Sequence, residues 1–167
     1  MTGVVELATT TPGLALVELT AADAAAYYAV LDRNRDHLGR HGDYRDEVAA
    51  TPEWVAEHLA RPVPDRFGIR LRGRLVGRVD LVHVDPPRYG LGYWLDRAAT
   101  GRGHATAACA AVIGHARAAG ATDVFAGVTR GNDRSAAVLR RLGFRPVAEL
   151  PTHTRFHLPL GADNVRG

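Results

Sequence analysis

The stretch that decides the fold is Leu91-Gly92-Tyr93-Trp94-Leu95, followed four residues later by Thr100-Gly101-Arg102-Gly103-His104-Ala105-Thr106. The first piece predicts a strand, the second a glycine-rich turn, and the alanine-rich residues up to 119 predict a helix. The first amides of a helix have no partner inside it, and the helix dipole adds partial positive charge there. Gly101 and Gly103 leave room for an anion to approach the backbone, and Arg102 adds a positive charge. This strand, turn and helix therefore predict a site for phosphate groups.

A glycine-rich turn alone is compatible with several kinds of site. A P-loop is excluded because no Gly-Lys-Ser/Thr is present; the chain contains no lysine at all. The dinucleotide fingerprint is excluded because the third glycine is missing and the turn comes late in the chain. A plain turn that begins a helix remains the alternative reading of this stretch.

The rest of the chain predicts a single α/β domain over residues 1–160, with the element order β-α-α-β-β-β-α-β-α-β-β and a mixed sheet. Residues 34–42 are polar and predict irregular structure, Pro86-Pro87 interrupts the strand pattern, and residues 161–167 predict a flexible tail. The predicted strands are 14–19, 67–71, 75–82, 91–95, 123–128, 145–150 and 154–158, and the predicted helices are 21–31, 52–60, 102–119 and 132–142.

Composition narrows the class of protein. The net charge is +3, and all 21 basic residues are scattered arginines without an aromatic-and-basic motif, so we expect no nucleic-acid partner. The single cysteine, Cys109, lies in an alanine-rich run and is expected to be a core residue rather than a nucleophile. No zinc-type spacing, membrane-length apolar run or signal peptide is found, so we expect a cytoplasmic protein without a metal.

Motifs downstream of the predicted phosphate site, taken together with it, resemble those of a known family. Asn132 and Ser135 form Asn-x-x-Ser, and Leu142-Gly143-Phe144 follows after the helical residues. Together with the turn, whose first position is Thr100 instead of the usual Gln or Arg, they resemble the GNAT superfamily of N-acetyltransferases. The motif Asn34-Arg35-x-His37-Leu38 and the strand Gly92-Tyr93-Trp94-Leu95 are similar to the RimJ/RimL-like branch, and the likeness spans residues 14–158.

The resemblance implies a mixed, mostly antiparallel central sheet that is flanked by helices and splayed at the cofactor site by a bulge in the strand carrying Tyr93. It also implies acetyl-CoA as acetyl donor, with its pantetheine arm along Tyr93–Leu95 and its pyrophosphate on the amides of residues 102–106. By the same resemblance, Ser135 protonates the leaving thiolate. The implied catalytic residues are Ser135, Asn132 and Tyr93, and the implied cofactor-binding residues are Trp94, Leu95, Thr100, Gly101, Arg102, Gly103, His104, Ala105, Thr106, Asn132 and Ser135.

Neither the general base nor the acceptor is identified by the sequence. Two positions where relatives often carry Glu are Gly90 and Ala107 here, so Asp80, His83, Asp85, Tyr93 and water all remain candidates for the base. The resemblance implies that the acceptor pocket is built from residues 34–48 and the last strands. A run of carboxylates at the first of these either attracts a cationic amine or forms a solvated face; its members are Asp32, Asp36, Asp43, Asp46 and Glu47.

Three classes of function follow. The first is an N-acetyltransferase that moves an acetyl group directly to a primary amine, either the α-amine of a protein or peptide or the amine of a small molecule. The alternative is a coenzyme A-binding module without catalytic activity, which the missing carboxylates keep open. The third, a purely structural interaction domain, leaves the motifs at residues 100–106 and 132–135 unexplained. The resemblance also allows a homodimer.

Overall fold

The computed structural model describes residues 3–161. The predicted flexible tail therefore lies outside the described residues, apart from Gly161. The described residues form one α/β unit with a single sheet and helices on both of its faces.

The sheet has the order β1-β2-β3-β4-β5-β6-β8-β7. All neighbouring strands are antiparallel except β5 and β6, which are parallel and joined through a helix. The predicted mixed, mostly antiparallel sheet is thus confirmed. The strands are β1 (Glu6–Ala8), β2 (Leu14–Glu18), β3 (Arg66–Leu71), β4 (Arg74–Asp85), β5 (Arg88–Leu95), β6 (Asp123–Thr129), β7 (Arg145–Glu149) and β8 (His153–Pro159).

Local signals account for the ends of the longer helices. Thr51 accepts a hydrogen bond from the Trp54 amide, and Pro52 occupies the first helical position of α4. Gly103, at φ 80°, ends the glycine-rich turn and starts α5. The helices are α1 (Ala24–Arg33), α2 (Arg35–Gly39), α3 (Arg45–Val48), α4 (Pro52–Ala60), α5 (His104–Ala118) and α6 (Asp133–Arg141), with 3-10 turns at Ala21–Asp23 and Arg97–Ala99.

The predicted element order was incomplete in three places. The structure adds the edge strand β1 and the one-turn helices α2 and α3, the latter two in and just after the stretch expected to be irregular. Three to five residues are too few to show a period of 2 or 3.6. Pro86-Pro87 forms the tight turn between β4 and β5, so both strands extend further toward it than expected.

Two hydrophobic cores lie on opposite faces of the sheet. On one face, Val79, Val112 and Phe156 belong to the core beneath α5. On the other face, Tyr27 and Trp94 belong to the core beneath α1 and α4. Because side chains alternate along a strand, neighbouring residues of β4 and β5 point into different cores.

The sheet opens between β5 and β6. Only Arg88, Tyr89 and Gly90 of β5 pair with β6, whereas residues 91–95 have no partner there and residues 126–129 pair with β8 alone. We call this opening the strand gap. It agrees with the splayed sheet that the resemblance implies. A register shift is present where β4 pairs with β5, between Val82 and Asp85, opposite Gly90 and Arg88 and beside the hairpin turn.

Candidate active site

A cavity of about 480 Å³ lies at the strand gap, where β5 ends and α5 and α6 begin. It brings together the predicted residues of β5, the glycine-rich turn and the start of α6. It also includes a segment before α3, residues 40–44, which lies in the region where the resemblance implies the acceptor pocket. Its lining residues are His37, Leu38, Arg40, His41, Asp43, Tyr44, Tyr93, Trp94, Leu95, Thr100, Gly101, Gly103, His104, Ala105, Thr106, Gly131, Asn132, Asp133, Arg134, Ser135, Val138 and Arg141.

The glycine-rich turn presents a row of free backbone donors to this cavity. Within residues 3–161, no amide from residue 101 to residue 106 donates a hydrogen bond, and the Ala107 amide is the next to do so, to the Gly103 carbonyl at 3.0 Å. Gly101 and Gly103 have φ of 78° and 80°, and no heavy atom lies within 4 Å of where their Cβ atoms would be. The turn therefore has the conformation, the space and the donors that a diphosphate requires.

Two side chains in the turn have buried polar atoms without a partner. His104 Nδ1 and Thr106 Oγ1 are buried and make no hydrogen bond in the described part of the chain. Thr100 differs, because its hydroxyl donates to the Arg97 carbonyl at 2.7 Å and is used inside the protein. Arg102 is exposed and does not line the cavity, so its expected contribution is limited to the charge near the turn.

Successive residues of β5 point their backbone N–H and C=O groups alternately toward β4 and toward the strand gap. The Asp96 amide donates to the Val76 carbonyl of β4, so the even-numbered residues point their polar groups at β4. Tyr93 and Leu95 accordingly direct theirs to the strand gap. The Tyr93 carbonyl accepts a hydrogen bond from the hydroxyl of Tyr44. Backbone groups for an added strand-like ligand are thus available at this edge, with one of them bonded to Tyr44.

Tyr93 and Ser135 meet across the strand gap. The Tyr93 hydroxyl lies 2.6 Å from Ser135 Oγ, a hydrogen bond in which either oxygen can be the donor. Burial raises the pKa of Tyr93 above its ordinary value, so this hydroxyl keeps its proton at neutral pH. A protonated Tyr93 that donates to Ser135 leaves the serine proton free to point into the cavity.

Asn132 has an evident local role. It is the N-cap of α6, and its Oδ1 accepts the amide of Ser135 at 3.2 Å. The side chain therefore fixes the start of the helix that carries Ser135, and only its amide N–H groups remain for a ligand. The spacing of the Asn-x-x-Ser motif is explained by this cap.

The segment before α3 spans the strand gap. Tyr44, at φ 54°, binds the Tyr93 carbonyl of β5. The preceding residue, Asp43, accepts a hydrogen bond from Thr129 Oγ1 of β6 at 3.1 Å. Burial raises the pKa of Tyr44, so its hydroxyl also stays protonated. Two consecutive residues thus contact the two separated strands, one each.

The first two residues of the motif at Asn34 bind the residues after β5 and those at the end of α3. The buried Asn34 side chain donates to the Val30 carbonyl and to Asp96 Oδ1, and it accepts the Arg97 amide at 3.0 Å. Arg35 donates to the carbonyls of Val48, the last residue of α3, and of Ala50 just after it. The first two positions of the motif are structural, whereas His37 and Leu38 line the cavity.

The candidate bases other than Tyr93 lie outside the cavity lining. Asp80 is paired with Arg78 at 3.1 Å, and burial raises its pKa against the opposing effect of that arginine. His83 is bonded to Asp65 at 2.6 Å, and Asp85 is paired with Arg88 beside the exposed hairpin turn. None of these three groups faces the cavity.

Cys109 is fully buried in the core beneath α5, and burial raises the pKa of its thiol. This confirms the prediction that it is a core residue. Among residues 3–161, no cluster of three or more His, Cys, Asp or Glu is arranged to hold a metal ion. None of the described helices is long and apolar enough to cross a membrane.

Comparisons with known proteins agree with this geometry. The protein is similar in fold to RimL, a ribosomal L7/L12 α-N-protein acetyltransferase solved with coenzyme A, with a TM-score of 0.81 and 19% identity over 94% of this chain and 99% of that one. Mycobacterium smegmatis RimJ, solved with a coenzyme A disulfide, gives a TM-score of 0.72 and 24% identity over 98% and 89%. The microcin C7 self-immunity acetyltransferase MccE, solved with acetyl-CoA and AMP, gives 0.75 and 16% over 89% and 93%.

No curated protein sequence matches the chain significantly. The family model "Acetyltransferase (GNAT) domain" matches residues 14–145, which include the strand gap, the glycine-rich turn and α6. The chain therefore belongs to the GNAT acetyltransferase family, and it is an acetyl-CoA-dependent acetyltransferase.

Proposed function

We propose that this enzyme transfers the acetyl group directly from acetyl-CoA to a primary amine, which enters from the α3 side of the strand gap. One observation carries the proposal. Residue 101 and residues 103–106, whose amides are free, line the cavity together with the Tyr93–Ser135 hydrogen bond, which supports donor binding and proton transfer at one site.

The glycine-rich turn is proposed to bind the pyrophosphate of coenzyme A. Anions are favoured at a helix N-terminus because unpaired amides and the helix dipole act on the same spot. The backbone of Tyr93 and Leu95 is proposed to bind the pantetheine arm, as a strand binds a neighbour. Acetyl-CoA supplies the activated thioester, and these residues place it in the strand gap.

Ser135 is proposed to protonate the sulfur that leaves. The fixed N-cap of α6 and the hydrogen bond from Tyr93 hold its Oγ in one position, which is what general acid catalysis requires. A backbone amide of β5 at the strand gap, that of Tyr93 or Leu95, is proposed to stabilise the negative charge on the acetyl oxygen during attack.

The acceptor is proposed to be the α-amine of a protein or peptide, or the amine of a small molecule. Two structural neighbours, an α-N-protein acetyltransferase and a self-immunity acetyltransferase, represent these two classes. The segment before α3 brings Asp43 and Tyr44 to the α3 side of the cavity, the side opposite α5.

The test is a thiol-release assay with acetyl-CoA and a panel of peptides with free α-amines, polyamines and aminated metabolites, followed by mass analysis of the products. We expect coenzyme A release that depends on the amine, with one acetyl group added per product. Tight coenzyme A binding without turnover on any member of the panel would instead indicate the non-catalytic module.

A further inference from the structure

We propose that Asp43 binds the acceptor amine and accepts the proton that its nitrogen loses during acetyl transfer. This inference rests on the proposed function and supplies the base that the sequence leaves open. It is carried by three observations on this carboxylate: its position on the sheet, its free oxygen, and its neighbour Tyr44.

The position of Asp43 is fixed by β6. Ala126 and Val128 belong to the core beneath α5, so the alternation along the strand turns Thr129 to the opposite face. Thr129 Oγ1 donates to Asp43 Oδ2 at 3.1 Å, which places the carboxylate on that opposite face. Asp43 therefore lines the cavity from the side on which we propose that the acceptor enters.

The other oxygen of Asp43 is free. Oδ1 is buried and has no hydrogen-bond partner among the described residues. Within residues 3–161, no ion pair includes Asp43 either. A buried carboxylate oxygen without a donor is costly, and an ammonium or amine N–H is the donor that would satisfy it.

Tyr44 sets how close this oxygen is to the reacting atoms. Its hydroxyl is bonded to the Tyr93 carbonyl, at the strand edge where we propose that the pantetheine arm lies. Asp43 is the adjacent residue, so the same short segment holds the carboxylate beside the route from the acceptor to the thioester.

Acetyl transfer to an amine needs a proton acceptor beside the attacking nitrogen. When the amine attacks, a C–N bond forms and the π electrons of the carbonyl move to oxygen, so the nitrogen becomes positive. Asp43 stabilises this charge more than it stabilises the neutral amine. The N–H bond then breaks and its proton passes to Oδ1. The electron pair on the oxygen re-forms the C=O bond while the C–S bond breaks with its electron pair on sulfur, which takes the proton of Ser135. Solvent removes the proton from Asp43 and returns one to Ser135.

The first experiment detects binding without turnover. The protein is labelled with ¹³C at the aspartate side-chain carboxyls, saturated with coenzyme A, and titrated with serinamide, a small cationic amine. The Asp43 signal is assigned with the Asp43→Asn variant. We expect this signal to move saturably with serinamide and to stay unchanged with N-acetylserinamide, which lacks the cationic amine. A stationary Asp43 signal, or an equal response to both compounds, overturns the proposal.

The second experiment measures kinetics on the best amine from the thiol-release panel. Asp43→Asn keeps an oxygen for Thr129 but removes the charge, and we expect kcat/KM for the amine to fall about ten- to one-hundred-fold. The matched control is Asp46→Asn, which removes the same charge from an exposed position outside the cavity. Equal rates for wild type and Asp43→Asn, or an equal loss in the control, contradict the assignment.

Failure of this inference is separable from failure of the proposed function. Calorimetric binding of coenzyme A and thiol release by the wild-type enzyme test the proposed function, and neither depends on Asp43 alone. If they succeed while the Asp43 signal and the Asp43→Asn rate are unaffected, only the role of Asp43 is wrong. A thermal melt of Asp43→Asn confirms that the variant is folded.

Discussion

The Tyr93 hydroxyl lies 2.6 Å from Ser135 Oγ and joins β5 to α6 across the strand gap. Both residues lie on the α5 and α6 side of the opening, whereas Asp43 and Tyr44 approach it from the α3 side. The proposed donor and acceptor halves of the cavity thus come from different layers of the domain. Substitutions on one side are expected to affect one substrate and spare the other.

Removing the Ser135 hydroxyl tests its role as general acid. We expect Ser135→Ala to lower kcat about 10²-fold or more, the usual contribution of a positioned proton donor. The dissociation constant of coenzyme A should not change, because the backbone of the turn and of β5 is intact. Rapid-quench rates and calorimetry measure the two quantities. Wild-type kcat in this variant removes Ser135 from the mechanism.

Tyr93→Phe tests whether the tyrosine acts through the serine. The ring remains, but the donor to Ser135 Oγ is lost, and we expect a decrease in kcat of roughly tenfold, as for a lost positioning hydrogen bond. In the double variant Tyr93→Phe/Ser135→Ala, the two losses in kcat should be far from additive, because each single variant already breaks the same hydrogen bond. Additive losses in the double variant would mean that the two hydroxyls act separately.

Gly103→Ala tests the turn as a phosphate site. At φ 80°, an alanine costs about 1–2 kcal/mol of backbone strain, and its methyl group would stand in the open space before the free amides. We expect weaker binding of coenzyme A in calorimetry. Gly120→Ala is the matched control, since Gly120 has φ 90° and equally open surroundings at the other end of α5. The control should lose similar stability and bind coenzyme A normally.

Asp96→Asn tests the network around Asn34. Burial acts to raise the pKa of Asp96, but hydrogen bonds from Arg33, the Ala98 amide and Asn34 outweigh it and lower the pKa. A lowered folded-state pKa stabilises the protein above the unfolded value of about 4, and this stability is lost as the pH falls through the folded-state pKa.

Asp96→Asn should therefore reduce the free energy of unfolding by about 1–3 kcal/mol at pH 7. The difference from wild type should shrink in increasingly acidic buffer. Urea unfolding at a series of pH values measures it, with the exposed Asp36→Asn as control. A difference that stays constant with pH would show that the carboxylate charge is not what the network uses.

Experiments on Cys109 test whether the acetyl group passes directly to the amine or through an acetyl-enzyme. Because its thiol is fully buried and its pKa is raised by burial, we expect no alkylation by iodoacetamide in the folded protein. Cys109→Ala should keep full turnover, and mass spectrometry should find no acetylated protein during the reaction. An acetyl-cysteine, or an inactive but folded Cys109→Ala, would indicate a covalent route.

The donor half of the site follows from the sequence because its signals are local. A strand, two glycines, a helix start and an N-cap occupy contiguous stretches, and the structure brings Tyr93, Gly101, Gly103, Asn132 and Ser135 to one cavity. Each element obeys a short-range rule, and the chain order places the elements side by side.

For the proposed acceptor half, the resemblance points to residues 34–48, but the sequence does not distinguish Asp43 within them. Asp43 was one carboxylate among five, and nothing in its neighbourhood separates it from the exposed Asp46. Its role depends on Thr129, 86 residues away, and on Tyr44 reaching a carbonyl of β5. The same holds for the strand gap, which is defined by where pairing between β5 and β6 stops. Such long-range contacts leave no periodic pattern in the chain.

The hydrogen bond from Tyr44 to the Tyr93 carbonyl has a consequence for the order in which the two substrates bind. A carbonyl oxygen has two lone pairs, so a pantetheine arm that pairs with it either shares it with the Tyr44 hydroxyl or displaces that hydroxyl. In both cases the residue next to Asp43 contacts the bound donor, and we predict that the proposed amine subsite is coupled to acetyl-CoA binding. Steady-state kinetics should show compulsory addition of the thioester before the amine, and Tyr44→Phe should relax the reaction toward random order.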